Sequence, residues 1–199
     1  MMLPTHAIVG LAIATPVAFV APEFTAAALA GGLIGGIFPD LDLYAGHRRT
    51  LHYPTIYPLL ALAALILTVV RPTPVTVAIA FAMIGAAVHC QMDRFGGGLE
   101  LRPWEGGSDR AVYDHVKRRW RRPRRVIRYD GAPEDLGLAL FLGLPLVVVL
   151  SPPFRWIVLA LLVVGGSYVI LRRQLAAIAP IVFGYVPARF EQYVPERYR

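Results

Sequence analysis

The chain has a single cysteine, Cys90, in 199 residues. No internal disulfide is possible, and no oxidising compartment is implied. Cys90 adjoins His89, and burial as a small apolar packing residue fits a free thiol better than metal ligation. The run Gly31-Gly32-Leu33-Ile34-Gly35-Gly36 is followed by no Lys-Ser or Lys-Thr, which argues against a phosphate-binding loop there. Its overlapping small-x-x-x-small spacings instead suit close helix approach. Lys and Arg are missing before His6, and no small-x-small cleavage site closes the first apolar run, so a cleaved secretory leader is not expected. No internal repeat is evident, and the length suits one domain with a tail.

Apolar residues are what the chain has in excess. They make up 56% of it, with a mean hydropathy of +0.55, more than a water-soluble domain of this size can hide, and they come in blocks. The blocks cover 6–21, 24–38, 54–70, 74–92, 136–150 and 154–171. The expected fold is all-α, a polytopic membrane bundle of about six apolar helices with a basic cytoplasmic loop. Residues 1–93 would form a metal-binding helical half, 94–135 the basic loop, and 136–199 the C-terminal membrane helices and an interfacial tail. The first, second and fifth blocks look short: about 15 residues span roughly 22 Å, against a hydrocarbon core of roughly 30 Å. In the loop, 109–120 is expected to form an amphipathic helix with Val112, Val116 and Trp120 on one face. The tail over 175–187 is interrupted by Pro180 and Pro187 and is expected to be interfacial or packed on the bundle, not a further span.

Threading the six blocks across a bilayer places seven ionisable side chains on one side. His6 opens the first block; Asp40 and Asp42 follow the second; His47 and His52 precede the third; His89 and Asp93 end the fourth. Ionisable groups at membrane depth are costly and usually have a function. The same threading puts 18 of the 20 Lys and Arg residues on that side, leaving Arg71 and Arg155 opposite. The positive-inside rule then makes the side cytoplasmic, with both termini, in a multi-pass inner-membrane protein.

His89 and Asp93 are one helical turn apart, so both project from one helix face and can share an ion. Pro39 is expected to break the preceding helix and turn Asp40 and Asp42 back toward the membrane surface. The short linker that carries His47 and His52 must return to the membrane by Pro54, which holds both near the aspartates. Each residue also has a plainer reading: His6 or His52 as interfacial histidines, His47 as a solvated loop residue, the aspartates as helix caps, His89 and Asp93 as an ion pair. Together, nitrogen and oxygen donors suit Zn²⁺, or Mn²⁺ or Fe²⁺, better than Ca²⁺ or Mg²⁺, and seven donors would serve one ion or two. The candidate metal ligands are His6, Asp40, His47, His52, His89 and Asp93. Asp42 is the candidate proton acceptor, and Arg48, with Arg49, is placed to face an anionic substrate.

In four elements the chain resembles the YdjM-type membrane-bound metal-dependent hydrolases. These are Thr5-His6 at the first apolar segment, Pro39-Asp40-Leu41-Asp42, the His-Arg-x-x-x-His element from His47 to His52, and His-x-x-x-Asp from His89 to Asp93. They follow in the family's order across the first half of the chain. The family's third element usually has Gly and then Thr-His-Ser, whereas this chain has Arg49, Leu51 and Tyr53. The resemblance implies a membrane hydrolase using divalent metal, and distant kinship with helical zinc-dependent phospholipase C-like enzymes would favour a phosphoester.

Three functions are therefore in view. The first is hydrolysis of a phosphoester or lipid at the cytoplasmic interface. The second, metal-ion transport, predicts ligands along a path to both faces, whereas the opposite side offers Glu23, Arg71 and Arg155 and no acid lies mid-span. The third is a non-catalytic anchor that recruits a protein through the basic loop. Arg-rich 117–125 around Trp120 admits nucleic-acid binding, but attraction to anionic lipid headgroups is the preferred reading beside a membrane.

Overall fold

In the computed structural model, which describes residues 1–195 and 198, the chain is a helical bundle with one small hairpin. The helices are α1 (Leu3–Ala14), α2 (Val17–Val20), α3 (Thr25–Ile37), α4 (Ile56–Val70), α5 (Pro74–Phe95), α6 (Pro133–Val149) and α7 (Phe154–Gly184). Strands β1 (Val112–Asp114) and β2 (Arg119–Arg121) pair antiparallel between α5 and α6. The starts are chemically marked. Pro74 occupies the first turn of α5, where a missing N–H costs nothing, and Thr73 and Thr76 form a reciprocal capping box before it.

Helices α1, α3 and α5 form the centre, α4 packs on α5, and α6 and α7 close over α1. The apolar core joins Ile8 and Leu11 of α1, Leu29 of α3, Val77 of α5, Leu146 of α6 and Val158 of α7. Central packing is close because it is made by small residues. A Cβ on Gly35 would fall 2.1 Å from the Ala82 carbonyl oxygen, and one on Gly36 would fall 2.6 Å from that of His6. Backbone thus meets backbone where α1, α3 and α5 converge, and the side chains at their ends are brought together.

Among the described residues four helical stretches, not six, are long and apolar enough to cross a membrane: Leu3–Val20, Pro22–Tyr44, Pro74–Phe95 and Phe154–Gly184. The first two blocks, expected to be short, are lengthened. α2 continues α1, and 3-10 turns at Pro22–Phe24 and Phe38–Tyr44 extend α3 at both ends. The third and fifth blocks are helical but fall short, with 15 residues in α4 and 17 in α6, roughly 22 and 26 Å. α6 also carries Glu134 and Asp135 in its first turn.

Two further expectations are corrected. Residues 109–120 hold no amphipathic helix. Val112 and Asp114 turn inward, both fully buried, while Val116 is 61% exposed. Alternation along a strand, not a helical stripe, orders these side chains. Asp114 closes the turn by accepting from the Val116 and Lys117 amides, and the β1 amide of Tyr113 donates to the Arg48 carbonyl. At the other end, α7 does not stop near 171 but runs on through Pro180 to Gly184.

A candidate metal centre

His89 lies on the buried face of α5, and its Nδ1 is 2.8 Å from the Gly36 carbonyl oxygen. A carbonyl only accepts, so Nδ1 carries the proton and a neutral ring presents a lone pair at Nε2. This Nε2 is buried without a hydrogen-bond partner, 3.3 Å from Asp40 Oδ1 and 3.4 Å from Asp93 Oδ2. His52 is held in the same way. Its Nδ1 donates to Asp42 Oδ2 at 2.9 Å, and its Nε2 lies 3.1 Å from Asp93 Oδ2 and 3.7 Å from Asp40 Oδ1. Two imidazole nitrogens and two carboxylates thus face one small volume. Ligand atoms of Asp40, His52, His89 and Asp93 lie within 4.8 Å of one another, and the cluster is able to hold a metal ion.

Three local devices build it. On α5, one helical turn sets His89 above Asp93. At the end of α3 the backbone tightens to 3-10 over Phe38–Tyr44, which breaks the α-helix at Pro39 and turns Asp40 toward His89 and Asp42 toward His47 and His52. The linker over 45–55 folds around Asp42, which accepts from His47 Nδ1 at 3.1 Å, the Arg48 amide at 3.3 Å, the Leu51 amide at 3.0 Å and His52 Nδ1. Four donors fill the roughly four lone-pair directions of a carboxylate. Asp42 is placed to orient imidazoles and has little capacity left to take a proton.

The other candidates flank the cluster. The His6 ring stacks on His89 with centroids 3.7 Å apart, and its Nε2 is 3.2 Å from Asp93 Oδ1. His6 Nδ1 is buried without a partner. His47 reaches Asp40 Oδ1 at 3.9 Å, and its side chain is 17% exposed, so it stands at the rim. Arg48 does not face outward to a substrate. It is buried with φ +59°, in the left-handed region, its Nη2 3.3 Å from Asp93 Oδ1 and its Nη1 donating to the Gly97 carbonyl at 2.8 Å. The Met1 amino group also donates to Asp93 Oδ1.

The electrostatics favour a cation. Burial opposes charge on His52, yet its bonds to Asp42 and Asp93 outweigh that and raise its pKa above the ordinary histidine range. Burial likewise opposes charge on Arg48, but the surrounding carboxylates, Asp93 foremost, raise its pKa. Both shifts have the same cause, the carboxylates gathered in this buried space, and the donor chemistry and the orphaned His89 Nε2 fit a divalent ion. Two contributors are not among the sequence candidates: the carbonyls of Gly36 and Gly97. Their only sequence signal is the pair of glycine-rich runs at 31–36 and 96–98.

The chain matches no family model, no curated protein and no solved structure.

Proposed function

We propose that the chain is a membrane-embedded, divalent-metal-dependent hydrolase of phosphoesters. One observation carries the reading. In a buried site, two histidines are locked by Nδ1 bonds to outer acceptors so that both Nε2 atoms point at a pair of carboxylates. Such outer partners are how proteins fix the tautomer and orientation of metal-ligating histidines. Asp40, His52, His89 and Asp93 would hold the ion, with Zn²⁺ favoured by the mixed donors and Mn²⁺ or Fe²⁺ suited to the same set. When bound, the ion would supply Lewis acidity and lower the pKa of a water.

The chain's own residues do the rest. Asp42 and the Gly36 carbonyl hold the two imidazoles. Arg48 offsets the charge of Asp93 and ties it to Gly97. His47 stands at the rim with Nδ1 on Asp42, and Arg49 beside it lines the same cleft. The helical hairpins α4–α5 and α6–α7 return the chain to the cluster's end of the bundle. Together with the 18 basic residues that threading of the apolar blocks assigns to that side, this supports a cytoplasmic face of the inner membrane. Likeness to the YdjM-type hydrolases rests on the four short elements alone. Transport is the weaker reading, because the seven ionisable groups gather at one end.

Elemental analysis of detergent-purified protein beside His89→Ala and Asp40→Ala is the test. About one transition-metal ion per wild-type chain, lost in both variants, is expected, together with chelator-sensitive hydrolysis of a chromogenic phosphodiester. Wild type that takes up no stoichiometric metal ends the proposal.

A further inference from the structure

Away from the metal cluster, the hairpin builds a second cationic feature. A cavity of about 480 Å³ is lined by Arg94, Lys117, Arg119, Arg121, Arg122 and Arg124, with Trp120 and Pro123. Two of the six have carboxylate partners: Arg121 is bound by Asp114 at 2.7 Å, and Arg122 meets Asp109 at 3.5 Å in an open pair. Among the described residues, Arg94, Lys117, Arg119 and Arg124 have no carboxylate within ion-pair distance. Like charges crowded around one space repel, and an anion placed among them turns that repulsion into attraction.

Position selects the anion. Arg94 belongs to the last turn of α5, a helix long and apolar enough to cross a membrane. The cavity therefore opens where a span ends, at headgroup level. Trp120 in its wall is the side chain most at home in that layer, and Val116 and Val126 beside the basic run are exposed at 61% and 67%. The volume is far larger than one phosphate ion needs. No lining residue belongs to the metal cluster, although Arg94 directly follows Asp93.

We propose that this cavity binds the phosphate-bearing headgroup of an anionic phospholipid. The site is separate from the hydrolytic centre and goes beyond the function proposed above. It fixes the hairpin against the bilayer surface, and through the Tyr113 amide on the Arg48 carbonyl it steadies the linker that carries His47 and His52.

The test uses the variant K117Q/R119Q/R124Q, which leaves Asp114-bound Arg121 in place, and native mass spectrometry of the detergent-purified protein. The probes are phosphatidylglycerol, phosphatidylcholine and inorganic phosphate. Wild type is expected to retain phosphatidylglycerol at least tenfold more tightly than phosphatidylcholine, and the triple variant to lose that preference at unchanged melting temperature. Single K117Q and R119Q variants, each expected to weaken retention about fivefold, serve if the triple variant does not fold. Equal retention of the two lipids by wild type, an unchanged preference in the variants, or binding of inorganic phosphate without lipid preference overturns the proposal. Metal content is measured on the same samples and is expected to be equal. A loss of lipid preference with metal retained, or the reverse, therefore separates this inference from the hydrolase reading.

Discussion

Asp42 touches four donors and presents neither oxygen to the centre of the cluster. Asp42→Asn should therefore weaken metal affinity about 10–100-fold, the usual cost of losing an outer partner, whereas Asp40→Ala is expected to abolish binding. Titration with a competing chelator distinguishes the two. His47→Gln should leave metal content intact and slow hydrolysis about tenfold, read from metal analysis and a phosphodiester assay on the same samples. Loss of the ion in this variant would make His47 a ligand and not a rim residue. At this scale the gathering of Asp40, His52, His89 and Asp93 was legible in the sequence, and the pairing of His89 with Asp93 follows from helix geometry alone. The sequence marked Gly36 and Gly97 only through their glycine-rich runs, because what they contribute is a carbonyl, which every residue has. It also pointed Arg48 outward, because nothing in the linker reveals that its backbone turns to φ +59° and sends the guanidinium inside.

Among the elements, the α1–α3–α5 junction is the most exacting. On Gly36→Ala the new methyl would meet the His6 carbonyl oxygen at 2.6 Å. Helix α1 would have to move, at about 1–3 kcal/mol, and the His89 bond to Gly36 would be displaced with it. A lower melting temperature and weaker metal retention together are expected from calorimetry and metal analysis. The hairpin offers a pH test. Burial pushes the Asp114 carboxyl up, but the bonds from Arg121, the Lys117 amide and Thr55 outweigh it and hold the pKa below the ordinary carboxylate value. A depressed pKa contributes stability that is present above the unfolded value near 4 and is lost as pH falls through the folded one. Asp114→Asn should thus lower the melting temperature at pH 7, and the gap from wild type should close below about pH 4. The hairpin itself was hidden because Val112, Val116 and Trp120 recur every fourth residue, as on a helix. What makes Val112–Asp114 a strand is its pairing with Arg119–Arg121, reinforced by the Arg48 carbonyl on the Tyr113 amide, and side-chain periodicity registers neither. The length of α7 was hidden because the apolar block ends before Arg172 and Pro180 interrupts the tail, yet the helix runs through both.

At the scale of the molecule, two ends follow from pairing helices into hairpins, whether or not α4 and α6 cross completely. Arg110→Cys should label only from the cytoplasmic face and Arg71→Cys only from the other, with Cys90 buried and silent. Labelling of both from one face would refute the arrangement. The overall class, an α-helical chain with membrane-length helices, was plain from the apolar blocks. Their number was not, since 3-10 extensions at Pro22–Phe24 and Phe38–Tyr44 lengthen one helix while Pro54 and Arg71-Pro72 curtail another.

Helix α7 has one more implication. Its 31 residues reach roughly 46 Å, and Arg172 lies roughly 27 Å along from Phe154, close to the thickness of a hydrocarbon layer. There Arg172 is held by Asp130 at 3.3 Å and sits over Trp104. That clasp marks a waterline on the hull. A thicker or thinner bilayer must tilt the mast or ride at a different draught, so lipid chain length becomes a mechanical load on the loop that Asp130 anchors.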